Sequence, residues 1–155
     1  KAPVFVARQL VKHQIGLTWN EVSRRYVSDD PSIYYPDTWR AAATDKKQGS
    51  DEENTIEWVS RSQRTGALKS HVENIALENY KKLLEAGVAP EQARMILPQS
   101  MMTEWYWSGT LYAFARVCNL RCASDAQYET RIVANLINKE CGKLFPISWT
   151  ELRNT

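Results

Sequence analysis

The first residues able to do chemistry cluster near the start of the chain. They are Gln9, Lys12, His13 and Gln14, followed by Glu21, Ser23, Arg24, Arg25 and Tyr26. On a helix, Gln9, Lys12 and His13 stand at i, i+3 and i+4 and share one face. On a strand, side chains alternate, so Glu21, Ser23 and Arg25 point one way and Arg24 and Tyr26 the other. An amide, an ammonium and an imidazole beside a carboxylate, a hydroxyl and a guanidinium would make an anion pocket. Arginine suits phosphate there because its planar fork donates in pairs. The competing reading is structural: helix faces with Gln and Lys are usually solvated, and paired arginines on an edge strand guard against edge-to-edge association.

A second cluster is spread over Arg94-Met-Ile-Leu-Pro98, Thr103-Glu-Trp-Tyr-Trp107 and Asn119-Leu-Arg121. Packing explains Trp105, Tyr106 and Trp107, since aromatic side chains bury large areas. The arginines are more telling. Arg94 falls inside an otherwise apolar helical stretch, and Arg121 closes an apolar segment; Arg is seldom buried without an anionic partner. Arg121 therefore meets an anion or carbonyl oxygens, or it pairs with a carboxylate such as Glu129 and holds two helices together. Ser23 could act as a nucleophile only beside a base, His13 or Glu21; a binding role is favoured.

These side chains need elements to carry them. Pro3 suits the first position of a helix, and Val4 to His13 read as that helix, broken by Gly16. Val22 to Val27 is short and β-prone. Thr44 to Asn54 contains no large apolar residue and reads as an exposed loop, either a mobile lid near a site opening or plain solvated chain. From Gly66 to Ala86, Val72, Ile75, Ala76, Tyr80, Leu83 and Leu84 follow helical spacing, with Gly87 as the stop. Pro90 opens a short helix and Pro98 ends it. Met101 to Trp107 suits a strand and Leu111 to Leu120 a helix. Ser124-Asp-Ala-Gln127 has the form of a helix cap, opening a helix with Ile132, Val133, Leu136, Ile137 and Cys141 on one face. The fold class expected is α+β, a single domain over residues 1–155 with several helices packed on a small sheet.

Composition narrows the function. A chain of 155 residues with 43% apolar and 25% charged residues is in the globular range. Its net charge of +2 is mild for a nucleic-acid binder, so no nucleic-acid partner is expected. Three cysteines, Cys118, Cys122 and Cys141, make no disulfide framework and read as reduced thiols. With only His13 and His71 beside them, no metal site is expected. No stretch approaches the roughly 20 apolar residues of a membrane span, so no membrane partner is expected either.

The spacing of these residues resembles a known family, the flavin-dependent thymidylate synthases. Their signature reads Arg-His-Arg, two variable residues, Ser, one variable, Asn-Glu, one variable, Ser, one variable, Arg-Tyr. Here it stands as Lys12-His13-Gln14, then Asn20-Glu21-Val-Ser23-Arg-Arg25-Tyr26. The stretches Ala2 to Gln9, Ala93 to Pro98, Thr103 to Trp107, Asn119 to Arg121 and Ala126 to Glu129 resemble family segments in the same order.

The resemblance implies an enzyme that methylates dUMP to dTMP. Methylenetetrahydrofolate is the implied carbon donor, reduced FAD the hydride source and NADPH the reductant. It implies a homotetramer with shared sites, in which the Trp105-Tyr106-Trp107 strand contributes buried surface. For dUMP it implies Gln9, Lys12, Glu21, Ser23, Arg24, Arg25, Arg94 and Arg121, with Arg121 catalytic at the uracil ring. For FAD it implies Lys12, His13, Gln14, Glu21 and Arg116. Lys12 and Gln14 stand where the family has arginines, one residue is inserted between His13 and Asn20, Arg116 replaces an Asn, and Asp125 replaces a His. These substitutions bear on flavin affinity more than on dUMP. The pattern resembles bacteriophage members, and a cytoplasmic location, including that of a phage host, goes with it. The segment matching Lys1 lies inside the family pattern, so a fragment or a reduced variant is expected. The alternative function is a catalytically idle homologue that holds a nucleotide or nucleic acid.

Overall fold

The computed structural model describes residues 1–23, 30–44, 49–59 and 71–154. It is mixed α+β, as expected, with helices and small two-stranded sheets. The chain divides into two compact units. One comprises Lys1–Ala7, Glu21–Trp39 and Thr55–Trp105; the other comprises Arg8–Asn20, Arg40–Asn54 and Tyr106–Thr155.

In the first unit, β1 (Ala2–Pro3) pairs antiparallel with β5 (Met102–Thr103), with Ala2 opposite Thr103 and Pro3 opposite Met102. Pro3 is thus a strand residue and not the first residue of the helix. A two-residue strand tolerates proline because little of its ladder needs the missing N–H. Backbone bonds extend the register: Val4 N–H donates to the Met101 carbonyl, Phe5 N–H to Gln99, and Met102 N–H to Ser32. Helix α1 (Val4–Leu10) follows at once, with residues from Arg8 onward counted in the second unit. It ends three residues short of expectation, where His13 N–H folds back on the Leu10 carbonyl. Lys12 and His13 therefore stand in a turn, and the shared helical face with Gln9 does not form.

Helix α2 (His71–Glu85) buries Tyr80 and half-buries Ala76, Leu77, Leu83 and Leu84. Val72 and Ile75, expected on that face, point to solvent. Gly87 ends the helix at φ +83, with Val88 N–H donating to the Leu83 carbonyl and Gly87 N–H to Leu84. This reciprocal closure is the αL stop the sequence suggested. Helix α3 (Pro90–Ala93) runs into a 3-10 turn, Arg94–Ile96, and stops before Pro98.

In the second unit, β2 (Leu17–Glu21) pairs with β6 (Trp105–Gly109), apart from the last residue of β2 and the first of β6, which belong to the first unit. The strand expected over Val22 to Val27 thus lies earlier and ends at Glu21; residues 24–27 lie outside the described set. The single strand expected over Met101 to Trp107 is two strands, β5 and β6, parted at Glu104. Gly16 and Gly109 meet closely: a Cβ on Gly109 would collide with the Gly16 carbonyl oxygen and the Leu17 side chain. Thr110 then caps α4 (Leu111–Arg121), its side chain accepting from Ala113 N–H at 3.1 Å.

Strands β3 (Arg40–Ala42) and β4 (Ser50–Thr55) pair with each other. The exposed loop expected over Thr44 to Asn54 is therefore partly strand, although β4 is wholly polar; residues 45–48 lie outside the described set. Side-chain anchoring explains the difference. Arg40 Nε donates to Ser50 at 2.7 Å, Arg40 pairs with Glu129, and Arg131 pairs with Glu52. Tyr128 lies beneath both guanidiniums, at 4.2 Å from Arg40 and 5.5 Å from Arg131.

Helix α5 (Tyr128–Leu144) starts later than the Ser124 pattern suggested. Residues 123–126 form a turn, and the Ser124 carbonyl accepts from Arg131. The buried positions of α5 are Thr130 and Ala134, with Ile137 and Cys141 half-buried, while Ile132 and Leu136 face solvent. Small residues bring α5 close to α4 and α6 (Pro146–Arg153), and Ala115, Cys118 and Trp149 form the core between them.

Candidate nucleotide and anion sites

The first unit contains a cavity of about 330 Å³ lined by Glu21, Ser23, Arg94, Gln99 and Thr103, with Val4, Leu97, Pro98 and Met101 as its apolar wall. Three of the expected dUMP residues, Glu21, Ser23 and Arg94, converge here from positions up to 73 apart in the chain (94 − 21). Glu21 is the last residue of β2 and Ser23 lies two further on. Both reach the cavity, but so does Val22 between them, and only Glu21 is in a strand, so the strand alternation expected of this segment does not account for their placement. Val22 N–H donates to the Glu104 carbonyl at 2.8 Å and pins the chain between them. Arg24 and Arg25 lie outside the described residues.

Arg94 differs from its expected setting. It is exposed in the 3-10 turn and not buried in a helix. Its Nε donates to the Glu91 carbonyl at 3.4 Å, which leaves both terminal NH₂ groups unpaired among the described residues. A half-engaged guanidinium at a cavity of small-ligand size suits an anionic group.

The second unit contains a smaller cavity, about 120 Å³, lined by Lys12, His13, Gln14, Ile15, Leu17, Arg116 and Leu120 among others. Four of the expected flavin residues, Lys12, His13, Gln14 and Arg116, meet here. Lys12, Gln14 and Arg116 are exposed, and their donors are chemically suited to phosphate or carbonyl oxygens. The volume is below the roughly 300 Å³ of a cavity enclosing a whole organic ligand, so it admits one end of a dinucleotide. The residues fit the flavin nucleotide to that extent.

Arg121, the last residue of α4, donates from Nε to His13 Nε2 at 2.9 Å. The alternative partner, Glu129, is engaged by Arg40. Gln9 is half-buried on α1 and lines neither cavity. Thr103 was passed over in sequence, where its segment drew attention through its tryptophans. Trp105 and Trp107 are half-buried, and Tyr106 is exposed.

The His13 bond fixes a protonation state. An imidazole nitrogen that accepts from a guanidinium is unprotonated. Burial, then the nearby charges of Arg121 and Arg116, hold the His13 pKa below its ordinary 6.5. Well above pH 6.5 the ring is neutral folded or unfolded. As pH falls below 6.5 the unfolded chain takes up the proton first, so stability drops. We expect His13→Gln to flatten this acid-side loss. Melting curves of both proteins between pH 7.5 and 5.5 check it; parallel losses would refute it. Burial likewise pushes the Cys118 thiol up to about 12, with Cys122 adding to the effect, so that thiol is no nucleophile near neutral pH.

The first unit thus gathers a guanidinium, a carboxylate and hydroxyls around one cavity, and the second gathers cationic donors around another. Comparison with known proteins gives the class. Residues 1–147 match a family model described as thymidylate synthase complementing protein, Thy1. A flavin-dependent thymidylate synthase of Thermus thermophilus is 38% identical over 149 residues, covering 96% of this chain and 53% of that protein. The corresponding enzyme of Thermosipho africanus is 36% identical over 148 residues, covering 91% and 62%. A UMP/dUMP methylase, PolB, from Streptomyces cacaoi, solved with 5-Br dUMP, superposes with a TM-score of 0.77 at 25% identity, covering 96% of this chain and 66% of that one. The chain belongs to the Thy1 family of flavin-dependent thymidylate synthases. It spans about half the length of the curated Thermus relative it matches.

Proposed function

We propose that this chain is the catalytic domain of a thymidylate synthase that methylates dUMP to dTMP. Methylenetetrahydrofolate is the carbon donor and NADPH the reductant. The observation that carries the reading is the meeting of Glu21, Ser23 and Arg94 around one cavity. Family membership and the likeness to a methylase solved with a dUMP analogue support it.

In this reading Arg94, with Arg25, holds the phosphate, and Ser23 and Gln9 orient the nucleotide by hydrogen bonds. Lys12 and Arg24 add positive charge for the anion, and Arg121 acts at the uracil ring. Lys12, His13, Gln14, Glu21 and Arg116 hold the flavin. Reduced FAD, when bound, supplies the hydride. A homotetramer, a single domain over residues 1–155 and a cytoplasmic setting, that of a phage host included, belong to the same reading; the exposed Tyr106 is available to such an assembly.

The test is tritium release from uracil-labelled dUMP with methylenetetrahydrofolate and NADPH, beside the visible spectrum after FAD addition. Release with a flavin spectrum supports the enzyme. Tight dUMP binding with neither signal supports an idle nucleotide-binding homologue, which the small second cavity and the replaced arginines at Lys12 and Gln14 would favour.

A further inference from the structure

The resemblance assigns Glu21 a ligand contact but gives Thr103 no role. Thr103 is 8% exposed and ends β5, its position set by pairing opposite Ala2. Its Oγ1 lies 2.5 Å from Glu21 Oε1, and the hydroxyl donates to the carboxylate. Both residues line the 330 Å³ cavity. Glu21 is the last residue of β2 and is exposed as a residue, and its long side chain carries the carboxylate that Thr103 meets. Thr103 has a stiff, β-branched side chain on a paired strand. A bond from a rigid, buried donor to a charged acceptor is of the stronger kind. One backbone bond beyond, Val22 N–H to the Glu104 carbonyl, ties the same two segments together.

We propose that Thr103 is a positioning residue for the nucleotide cavity: its hydroxyl fixes the Glu21 carboxylate in the rotamer that meets the ligand. The proposal rests on the reading of this cavity as the dUMP site. Thr103 reaches the ligand through Glu21, so it acts on affinity by selecting a side-chain conformation. Thr103→Val removes the hydroxyl and keeps the shape, whereas Thr103→Ser keeps the hydroxyl and loses a methyl.

The experiment is calorimetric titration of dUMP into the wild type, Thr103→Val, Thr103→Ser, Glu21→Gln and the Thr103→Val/Glu21→Gln double variant. A hydrogen bond to a charged group corresponds to a loss of roughly tenfold or more in affinity. Thr103→Val should show that loss and Thr103→Ser should restore most of it. In the Glu21→Gln background Thr103→Val should add little, because the shared bond is already changed. Wild-type affinity in Thr103→Val overturns the proposal, as does an equal loss in both backgrounds. Failure of the wild type to bind dUMP overturns the nucleotide reading itself, and this proposal with it. Should Thr103→Val lose the fold by its melting curve, Thr103→Cys, a weak donor in the same space, takes its place with the same readings.

Discussion

Arg121→Ala should lower turnover by roughly 100- to 1000-fold with FAD still bound, and Arg121→Lys should fall between it and the wild type. The expectation follows from what engages the guanidinium. Its Nε donates to a neutral His13, which orients the planar group without neutralising its charge. Among the described residues no carboxylate pairs with it, and Glu129, the candidate for a purely structural role, is held by Arg40. In the function proposed above, that unneutralised charge is what Arg121 brings to the uracil ring as its NH proton is lost. Lysine keeps the charge but has no fork to share between His13 and a ligand. Turnover and melting temperature measured on both variants decide the matter. A lowered melting temperature with activity per folded molecule intact would make Arg121 a structural residue, and unchanged turnover in Arg121→Ala would end the catalytic assignment.

The largest stability effect should come from Trp149→Ala, at about 3–5 kcal/mol. Trp149 is 4% exposed on α6 and packs with Ala115 and Cys118, and with Phe114, Ile137, Cys141 and Leu152 around them. Its Nε1 donates to Asn138 Oδ1 at 2.9 Å, so truncation also strips a partner from α5. The site cannot collapse easily, because α5 already approaches through Gly142, where an added Cβ would stand 3.3 Å from the indole. Trp149→Phe keeps part of the volume and loses the hydrogen bond, and should cost less. Denaturant unfolding followed by circular dichroism measures both; a loss below about 1 kcal/mol for Trp149→Ala would show that this core relaxes around the missing ring.

What the sequence disclosed depended on how local the cause was. Gly87, Pro90 and Pro98 act within a turn, so the stops they impose were legible. The apolar run from Leu111 carried α4 in the same way. Strand placement was not legible from Val22 to Val27, because β-propensity names a run but its partner decides where pairing ends. Strand β4 was hidden for a related reason: Ser50 to Thr55 has no apolar alternation, and arginines ten residues upstream in sequence and beyond 75 residues downstream hold it. The face of α5 was misjudged because Thr130 and Ala134 were chosen for close approach and not for hydrophobicity. At the candidate sites, the fold gathers three of the eight residues expected for dUMP, Glu21, Ser23 and Arg94, around one cavity, and four of the five expected for the flavin, Lys12, His13, Gln14 and Arg116, around another. Thr103 was invisible because its contact with Glu21 exists only through the register of β5.

The anchoring of the β3–β4 hairpin makes its order depend on ionic strength in a graded way. Its strand β4 is wholly polar, and the side-chain ties seen among the described residues are an Arg40–Ser50 hydrogen bond and two ion pairs. The side chains of Arg40 and Glu129 are 15% and 10% exposed, while Arg131 and Glu52 are 14% and 39% exposed. Screening falls mainly on charges that face solvent. Added salt therefore weakens the outer tie at Glu52 before the inner one at Glu129, and the ring of Tyr128, attractive to both cations, keeps them adjacent as it does so. The hairpin is fastened at two strengths, and the medium sets how many of the fastenings hold.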